Sequence, residues 1–388
     1  MNQMTSVPQV QGPQPAWFSG DRGEFRRLVM RGGFLEFVTL GFYRFWLATD
    51  LRRHLWANTS VDGDAVEYTG SAKELLIGFL IALAILAPLY VGYFLLGLEA
   101  ESWQAFASTP LVVLLYLFGQ FAIYRARRYR LTRTVWRGVR FWMTGSGWAY
   151  ALRAALWGLA MGLTLGLIMP WRNAALERYK MGHSHYGELQ GRFEGRGGEL
   201  FKRGWWIWAL GVLSIVAVPF VPLLGIVALI ALPFLYAAYK AIEWRWWVSG
   251  LRIGEVRFES ALPRKAFVGL YWKVIGWGVL LMIGLGLYLG FCVQALSWVS
   301  GLSPEAFFKP SNLLDNVPLL ACTGVGYLAL MLGLSVVIRI YLLRDLWAAV
   351  VTSTVVHGLA AAAEVAAKGE LASAVGEGFA DGLDVAGF

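Results

Sequence analysis

Cysteine and charge are both scarce in this chain of 388 residues. Only Cys292 and Cys322 occur, each in or beside an apolar run, which excludes a disulfide framework and a cysteine-rich metal site. Histidine is nearly as rare, at four residues. Charged residues make up 15% of the chain, against about a quarter in ordinary soluble domains, while 57% of it is apolar. That balance excludes a disordered, collagen-like or typical cytosolic protein. No G-x-S-x-G elbow, H-E-x-x-H pair or phosphate-binding G-x-x-x-x-G-K-[ST] is present, so no enzyme activity and no cofactor are expected. Residues 1–20 are polar and rich in Gln and Pro without an apolar core, so no cleavable signal peptide is expected.

What is abundant points to a bilayer. Glycine (45) and tryptophan (19) suit close helix packing and interfacial anchoring. A hydrocarbon core of about 30 Å needs roughly 20 helical residues. Residues 74–98, 109–124, 149–170, 266–298 and 317–343 meet or approach that length. The stretch 204–239 is apolar but broken by Pro219 and Pro222, which reads as two helices joined by a tight turn. Residues 24–48 are apolar too, yet carry Arg26, Arg27, Arg31, Glu36 and Arg44, costly for an ordinary span. The expected fold class is an all-α integral membrane bundle with internal repeats and short cytoplasmic β-hairpins.

Self-similarity organises the chain. Thr39-Leu40-Gly41 with Trp46 recurs as Thr164-Leu165-Gly166 with Trp171, and the same spacing relates Arg53 to Arg178, Gly70 to Gly195 and Glu74-Leu75 to Glu199-Leu200. After each Trp comes a helix dense in Arg and aromatics, then a β-type stretch. Such stretches fall at 58–71, 132–146, 183–197 and 249–260, and a degenerate fifth begins at Ser353. Alternating residues around a central Gly, most clearly Asp62-Gly63, are a hairpin signal because the turn needs positive φ. One hairpin cannot stand alone in water, so the four are expected to pack together or on the basic helices as a small cap. The expected organisation is a disordered leader (1–22), membrane repeats at 23–147 and 148–262, a third membrane unit at 263–357, and a tail (358–388) with one Lys against five acids.

The pattern of Thr39-Leu40-Gly41-Phe42-Tyr43 with Trp46, a basic helix, a Thr-bearing strand at Asn58-Thr59, a Gly turn and a closing Gly-Ser resembles the bacterial YjgN-like inner-membrane family, a domain of unknown function. Further matches are Gly63, Gly138-Val139-Arg140-Phe141, Gly191-Arg192-Phe193, Val256-Arg257-Phe258 and the Gly-Ser pairs at 70–71 and 145–146, so the likeness covers roughly residues 17 to 370. Ile168 and Pro170 stand where the motif has aromatics, and the fifth copy lacks its Arg-Phe. The resemblance implies a bacterial inner-membrane location, and brings no activity and no catalytic residue.

Basic residues favour the cytoplasmic side. The Arg- and Lys-bearing linkers put every hairpin inside, and loops 99–108 and 299–316 outside. Full spanning by 149–170 would then leave the second and third hairpins on opposite faces. The conflict is resolved if 24–48 and 149–170 are re-entrant or broken at their Thr-Leu-Gly. Inverted halves, or a single crossing at 204–239, are the alternatives.

Candidate sites follow from these placements. Lys273 inside an apolar run could line a polar path, or snorkel to the interface beside Tyr271 and Trp272. Arg31 and Glu36 could pair across a re-entrant loop, or lie on the wet face of an interfacial helix. Gln120 and Gln294 read as pathway groups or as interhelical glue, and Thr164 marks a helix break. His183 and His185 share a strand face with Glu188 on the other, too few ligands for zinc, so they read as exposed hairpin histidines. Arg125, Arg127, Arg128, Arg130, Arg133, Arg137 and Arg140 interleave with Tyr124, Tyr129 and Trp136. Directly after an apolar span, such a cluster is expected to grip anionic lipid headgroups or an acidic protein partner and not nucleic acid. The functional expectation is a channel or transporter with an Arg-rich cytoplasmic vestibule. The alternative is a non-catalytic scaffold or regulator that binds anionic lipid or a partner through its basic cap.

Overall fold

A computed structural model describes residues 12–99, 109–217, 219–301, 303–308 and 316–372. Most of the two loops expected outside, and the end of the acidic tail, lie beyond the described residues.

The chain is built from one unit used five times: a strand, a helix leading away, a turn, a helix leading back and a strand. The first is β1 (Gln14–Phe18), α1 (Arg22–Val38), α2 (Arg44–Ala57) and β2 (Thr59–Val61). Next come β3 (Asp64–Tyr68), α3 (Ala72–Glu99), α4 (Thr109–Thr132) and β4 (Thr134–Trp136). The third is β5 (Val139–Met143), α5 (Gly147–Leu163), α6 (Met169–Gly182) and β6 (Ser184–Tyr186). The fourth is β7 (Leu189–Phe193), α7 (Gly197–Ala217), α8 (Pro222–Gly250) and β8 (Leu251–Ile253). The last is β9 (Val256–Ser260), α9 (Val268–Ser300) and α10 (Val317–Ile338), which runs through a π-helical stretch, Arg339–Asp345, into α11 (Leu346–Thr352) and β10 (Thr354–His357).

All ten strands pair antiparallel in one closed ring, β1-β10-β9-β8-β7-β6-β5-β4-β3-β2. This corrects the expected all-α bundle with separate short hairpins: a β-barrel is the organising element, and the helices hang from it. Each strand is too short to persist alone, and closure removes every edge, which is why a strand of three residues survives here. Because β5 pairs with β6, through Phe141–Tyr186, Trp142–His185 and Met143–Ser184, the stretches 132–146 and 183–197 lie on one face of the molecule. Residues 14–18, inside the presumed leader, supply a barrel strand, and Asp21 caps α1 by accepting from the Glu24 N–H at 2.6 Å. The ends of the chain thus close the ring, with Ala16 paired to Val61 and Gln14 to Val356.

Local chemistry explains the corners. The two-residue turns at Asp62-Gly63 (φ 55°, 83°) and Arg137-Gly138 (φ 48°, 74°) have both residues left-handed, which suits the twist of the paired strands. Where helix meets strand, a hydroxyl ties the junction: Thr59, Thr134, Ser184 and Thr354 each donate 2.8 Å to the carbonyl four residues back. The Thr-Leu-Gly motifs form the far tips of the two short helical hairpins. Thr39 Oγ1 donates to Leu35 O and accepts from the Tyr43 N–H, and Thr164 repeats this with Ala160 O and the Ile168 N–H. Leu40-Gly41 (φ 51°, 93°) and Leu165-Gly166 (φ 50°, 82°) then reverse the chain.

Among the described residues four helices are long and apolar enough to cross a membrane: Ala72–Phe94 of α3, α4, α9, and the continuous Val317–Thr352. Their flanks are apolar yet open, as with Leu287 at 73% and Phe291 at 74% exposure on α9. In a water-soluble monomer such a surface would be an aggregation liability, and the arrangement is that of a membrane protein.

Candidate functional site

Alternation along the strands sends apolar side chains inward and polar ones outward. Val61, Trp136, Tyr186, Val256, Phe258 and Val356 face the barrel axis, while Glu67, Arg140, Gln190, Arg192, Arg257 and Glu259 point away. The inner side chains do not fill the space. A cavity of about 440 Å³ runs along the axis from the barrel into the ring of returning helices above it. That volume lies in the range of small-ligand sites, roughly 300–1,000 Å³.

The lumen wall is apolar even where the sequence places hydroxyls. Thr59 Oγ1 donates to Leu55 O and accepts from Trp347 Nε1–H (2.9 Å), and Thr134 Oγ1 donates to Arg130 O and accepts from Trp56 Nε1–H (3.0 Å). Tyr186 donates its hydroxyl to Trp136 O at 3.0 Å. These groups are satisfied by the chain and offer little to a polar ligand. Trp56 and Trp347 stack with ring centroids 4.9 Å apart, and Trp244 and Trp247 continue the aromatic wall.

One side of the helical mouth is charged. Arg127 and Arg130 of α4 line the cavity. Arg127 lies 2.7 Å from Glu177 of α6 and also reaches the Met181 sulfur at 3.1 Å. Lys180 stands 2.7 Å from the other Glu177 oxygen. Burial alone would raise the Glu177 carboxyl, but Arg127 and Lys180 outweigh it and hold the group at about 2. Burial, with Arg127 and Arg130 close by, pushes the Lys180 ammonium below its ordinary range despite Glu177. Arg127 and Lys180 therefore share one carboxylate beside an apolar lumen, and Arg130 lines that lumen one turn further along α4.

The far end of the barrel is covered by the chain itself. After β10, Gly358 turns left-handed (φ 73°) and a 3₁₀ turn at Leu359–Ala362 puts Leu359 and Ala362 into the apolar cluster of the barrel. The strap continues past Val365 and Ala366, which lie against Gly187, to Gly369, which lies against Trp142 of β5. In ring order β10 and β5 are about half a circumference apart, so the strap crosses the whole mouth.

The residues singled out from the sequence are dispersed. Glu36 is buried and pairs with Arg339 at 2.6 Å, not with Arg31, which is exposed on α1. Thr164 sits at a helical tip, Gln120 is half-buried on α4, and Gln294 is exposed on α9. Lys273 is exposed, with Nζ 5.8 Å from the Tyr341 ring. Of the arginine cluster, Arg127 and Arg130 reach the lumen and the others do not. Arg133 forms a two-pronged pair with Glu74 (3.0 Å each), Arg137 bridges Asp62 and Asp64 (2.7 and 2.5 Å), and Arg140 donates to Thr132 O (2.6 Å). Arg125 and Arg128 are half-buried neighbours on α4. His183 donates its Nδ1–H to Tyr179 O (2.7 Å) and His185 stacks on Trp142 at 4.3 Å. Among the described residues no three His, Cys, Asp or Glu gather as metal ligands.

Sequence reasoning passed over Trp56, Glu177, Lys180, Trp244, Trp247 and Trp347. A signal for most of them existed. Counting seven and four residues back from Thr59, Thr134, Ser184, Leu251 and Thr354 gives Arg52/Leu55, Arg127/Arg130, Glu177/Lys180, Trp244/Trp247 and Trp347/Val350. These are one helical face in five copies, charged on α4 and α6, aromatic on α8 and α11.

The sequence model of a family described as bacterial protein of unknown function (DUF898) matches residues 13–382, in agreement with the YjgN-like resemblance. The chain belongs to this family. No curated protein and no solved structure matches it.

Proposed function

We propose that this protein holds an anionic amphiphile at the membrane, with the apolar chain in the barrel lumen and the charged head at Arg127 and Arg130. One observation carries this reading: an axial cavity of about 440 Å³ is walled by apolar side chains and bordered on one side by two arginines, Arg127 and Arg130. Apolar walls with a few convergent polar groups are the usual composition of a small-molecule site. The role is binding or carrying, without catalysis.

The reading includes an orientation. Every helical excursion leaves the barrel and returns to it, so the barrel occupies one side of the bilayer. Arginine concentrated near the strands favours the cytoplasm of a bacterial inner membrane for that side. The three long excursions, from α3 to α4, α7 to α8 and α9 to α11, would then cross twice each. The α1–α2 and α5–α6 pairs, of 17 and 14 residues each, would dip and return. A conduit along the same axis is the second reading, favoured by the closed ring and the axial cavity. The apolar wall and the strap over the far end weigh against it for ions.

The test is photo-crosslinking of the purified full chain in lipid nanodiscs with a diazirine-bearing fatty acid. Adducts on Val66, Trp136 or Phe258 are expected, and their loss in Val356→Trp, which fills the lumen. Adducts confined to the outward faces of α3, α9 and α10 in both proteins would overturn the reading. Anion release from liposomes with no lumen adducts would favour the conduit.

A further inference from the structure

Composition excludes a framework of disulfides, but it leaves one pair of thiols whose positions are fixed by how α9 packs on α10. These helices run antiparallel, and their contacts define a register. Gly333 lies against Leu281, so that a Cβ there would meet the Leu281 methyls at 3.1–3.2 Å. Two turns further from the barrel, Gly326 lies against Leu285 and Tyr288, at 2.8–2.9 Å by the same measure. Further out again, Leu319 packs with Val293 and Phe307. Cys322 is one turn beyond Gly326, on the same face of α10, and Cys292 is one turn beyond Tyr288, on the same face of α9. The two cysteines of the chain therefore face each other, between the Gly326–Tyr288 and Leu319–Val293 contacts.

Two further observations agree. The side chains of Tyr288, Cys292 and Cys322 lie within hydrogen-bonding reach of one another, with both thiols free. Gly326 leaves room for the Leu285 and Tyr288 side chains directly against α10, and a disulfide one turn further along needs Cα atoms within about 4.4–6.8 Å. No other His, Cys, Asp or Glu among the described residues joins the thiols to make a metal site.

Position along the helix gives the compartment. Counted from the start of α9, beside the barrel, Cys292 is roughly 36 Å away at about 1.5 Å per residue, one to two turns short of the exposed Trp298. It lies at the outer end of a span whose inner end carries Tyr271, Trp272 and Lys273. With the barrel in the cytoplasm, as in the orientation proposed above, this end lies next to the oxidising compartment, where disulfides persist.

We infer that Cys292 and Cys322 form an intramolecular disulfide that staples α9 to α10 at the end of this hairpin remote from the barrel. Formation is a thiol–disulfide exchange with a disulfide-bearing oxidant of that compartment. One thiolate attacks the oxidant's disulfide, releasing one of its thiols and leaving a mixed disulfide. The second thiolate displaces the oxidant's other sulfur. The two cysteine thiols lose two protons and two electrons, and the oxidant's disulfide leaves as a dithiol. The inference rests on the membrane orientation and is independent of any lumen ligand.

The test uses full-length protein in cells grown without reductant, quenched in acid, dissolved in SDS and treated with a polymer-bearing maleimide, so that burial cannot shield a thiol. No mass addition is expected before reduction and two after it, while Cys322→Ser should gain one without reduction. Two additions to the wild type before reduction would overturn the inference. So would a band of twice the mass on a non-reducing gel, which would mean that the thiols pair between chains.

Discussion

The Arg127 guanidinium on α4 and the Glu177 carboxylate on α6 meet at 2.7 Å beside the helical mouth of the lumen. The pair joins two helices whose strands, β4 and β6, are separated in the ring by β5. It ties two of the five returning helices together through a buried charge, which is stable only while its partners remain.

Glu177→Gln should therefore lower stability at pH 7 by about 3 kcal/mol, the worth of a carboxyl moved from an ordinary 4.5 to about 2. The group is depressed in the folded state, so its contribution is complete above pH 4.5 and disappears as pH falls toward 2. Thermal unfolding in detergent should show a gap between wild type and variant at pH 7 that narrows between pH 4.5 and 3. A gap of constant size would show that the carboxylate charge is not what holds this site.

The helical tips require glycine. Gly41→Val and Gly166→Val place a branched side chain at φ 93° and 82°, and each should cost about 1–2 kcal/mol. Gly92→Val within α3, where a Cβ meets nothing within 4 Å, is the control and should cost much less. Unfolding midpoints of the three variants, measured side by side, decide the matter; equal losses would mean that the tips are not the strained points.

Deleting residues 1–18 removes β1 and leaves β2 and β10 as bare edges. The truncated protein should unfold at lower temperature and elute as aggregates on size exclusion. A synthetic peptide spanning residues 12–21, added in trans, should restore part of the midpoint by strand addition. A monodisperse truncated protein with unchanged midpoint would contradict a role for β1 in closing the ring.

Gly369→Leu drives a side chain into the Trp142 indole at a left-handed position (φ 104°). The strap should lift, and amides 359–366 should exchange with deuterium faster while those of β3 and β4 keep their protection. Unchanged exchange across the strap would mean that Trp142 does not hold it.

Parts of this architecture are legible in the residues. The turn chemistry of Asp62-Gly63 and the likeness of Thr39-Leu40-Gly41 to Thr164-Leu165-Gly166 reflect local backbone needs, which sequence records directly. Barrel closure does not, because strands of three and five residues carry almost no periodic signal and their pairing is wholly non-local. The fivefold count was hidden for another reason. Short and long helical excursions alternate in the first four units, so the repeat that shows is a pair of units, and the strand pair that follows the fifth, β10 with β1, joins segments far apart in sequence. The lumen is not legible because arginine is as dense at Arg133, Arg137 and Arg140 as at Arg127 and Arg130, while Glu74, Asp62 and Asp64, which engage Arg133 and Arg137, lie far away in sequence. Glu177 and Lys180 drew none, being two charges on a helix full of them.

Since the first and last strands of the barrel lie side by side, the ring cannot shut until β10 has left the ribosome. During synthesis the free edge of β1 must wait for β10, more than three hundred residues downstream, while the greasy excursions between them are already entering lipid. Assembly of this protein is thus ordered by its connectivity: insertion first, circle last, with anything destined for the interior either captured at that final step or admitted afterwards through the rim of helices.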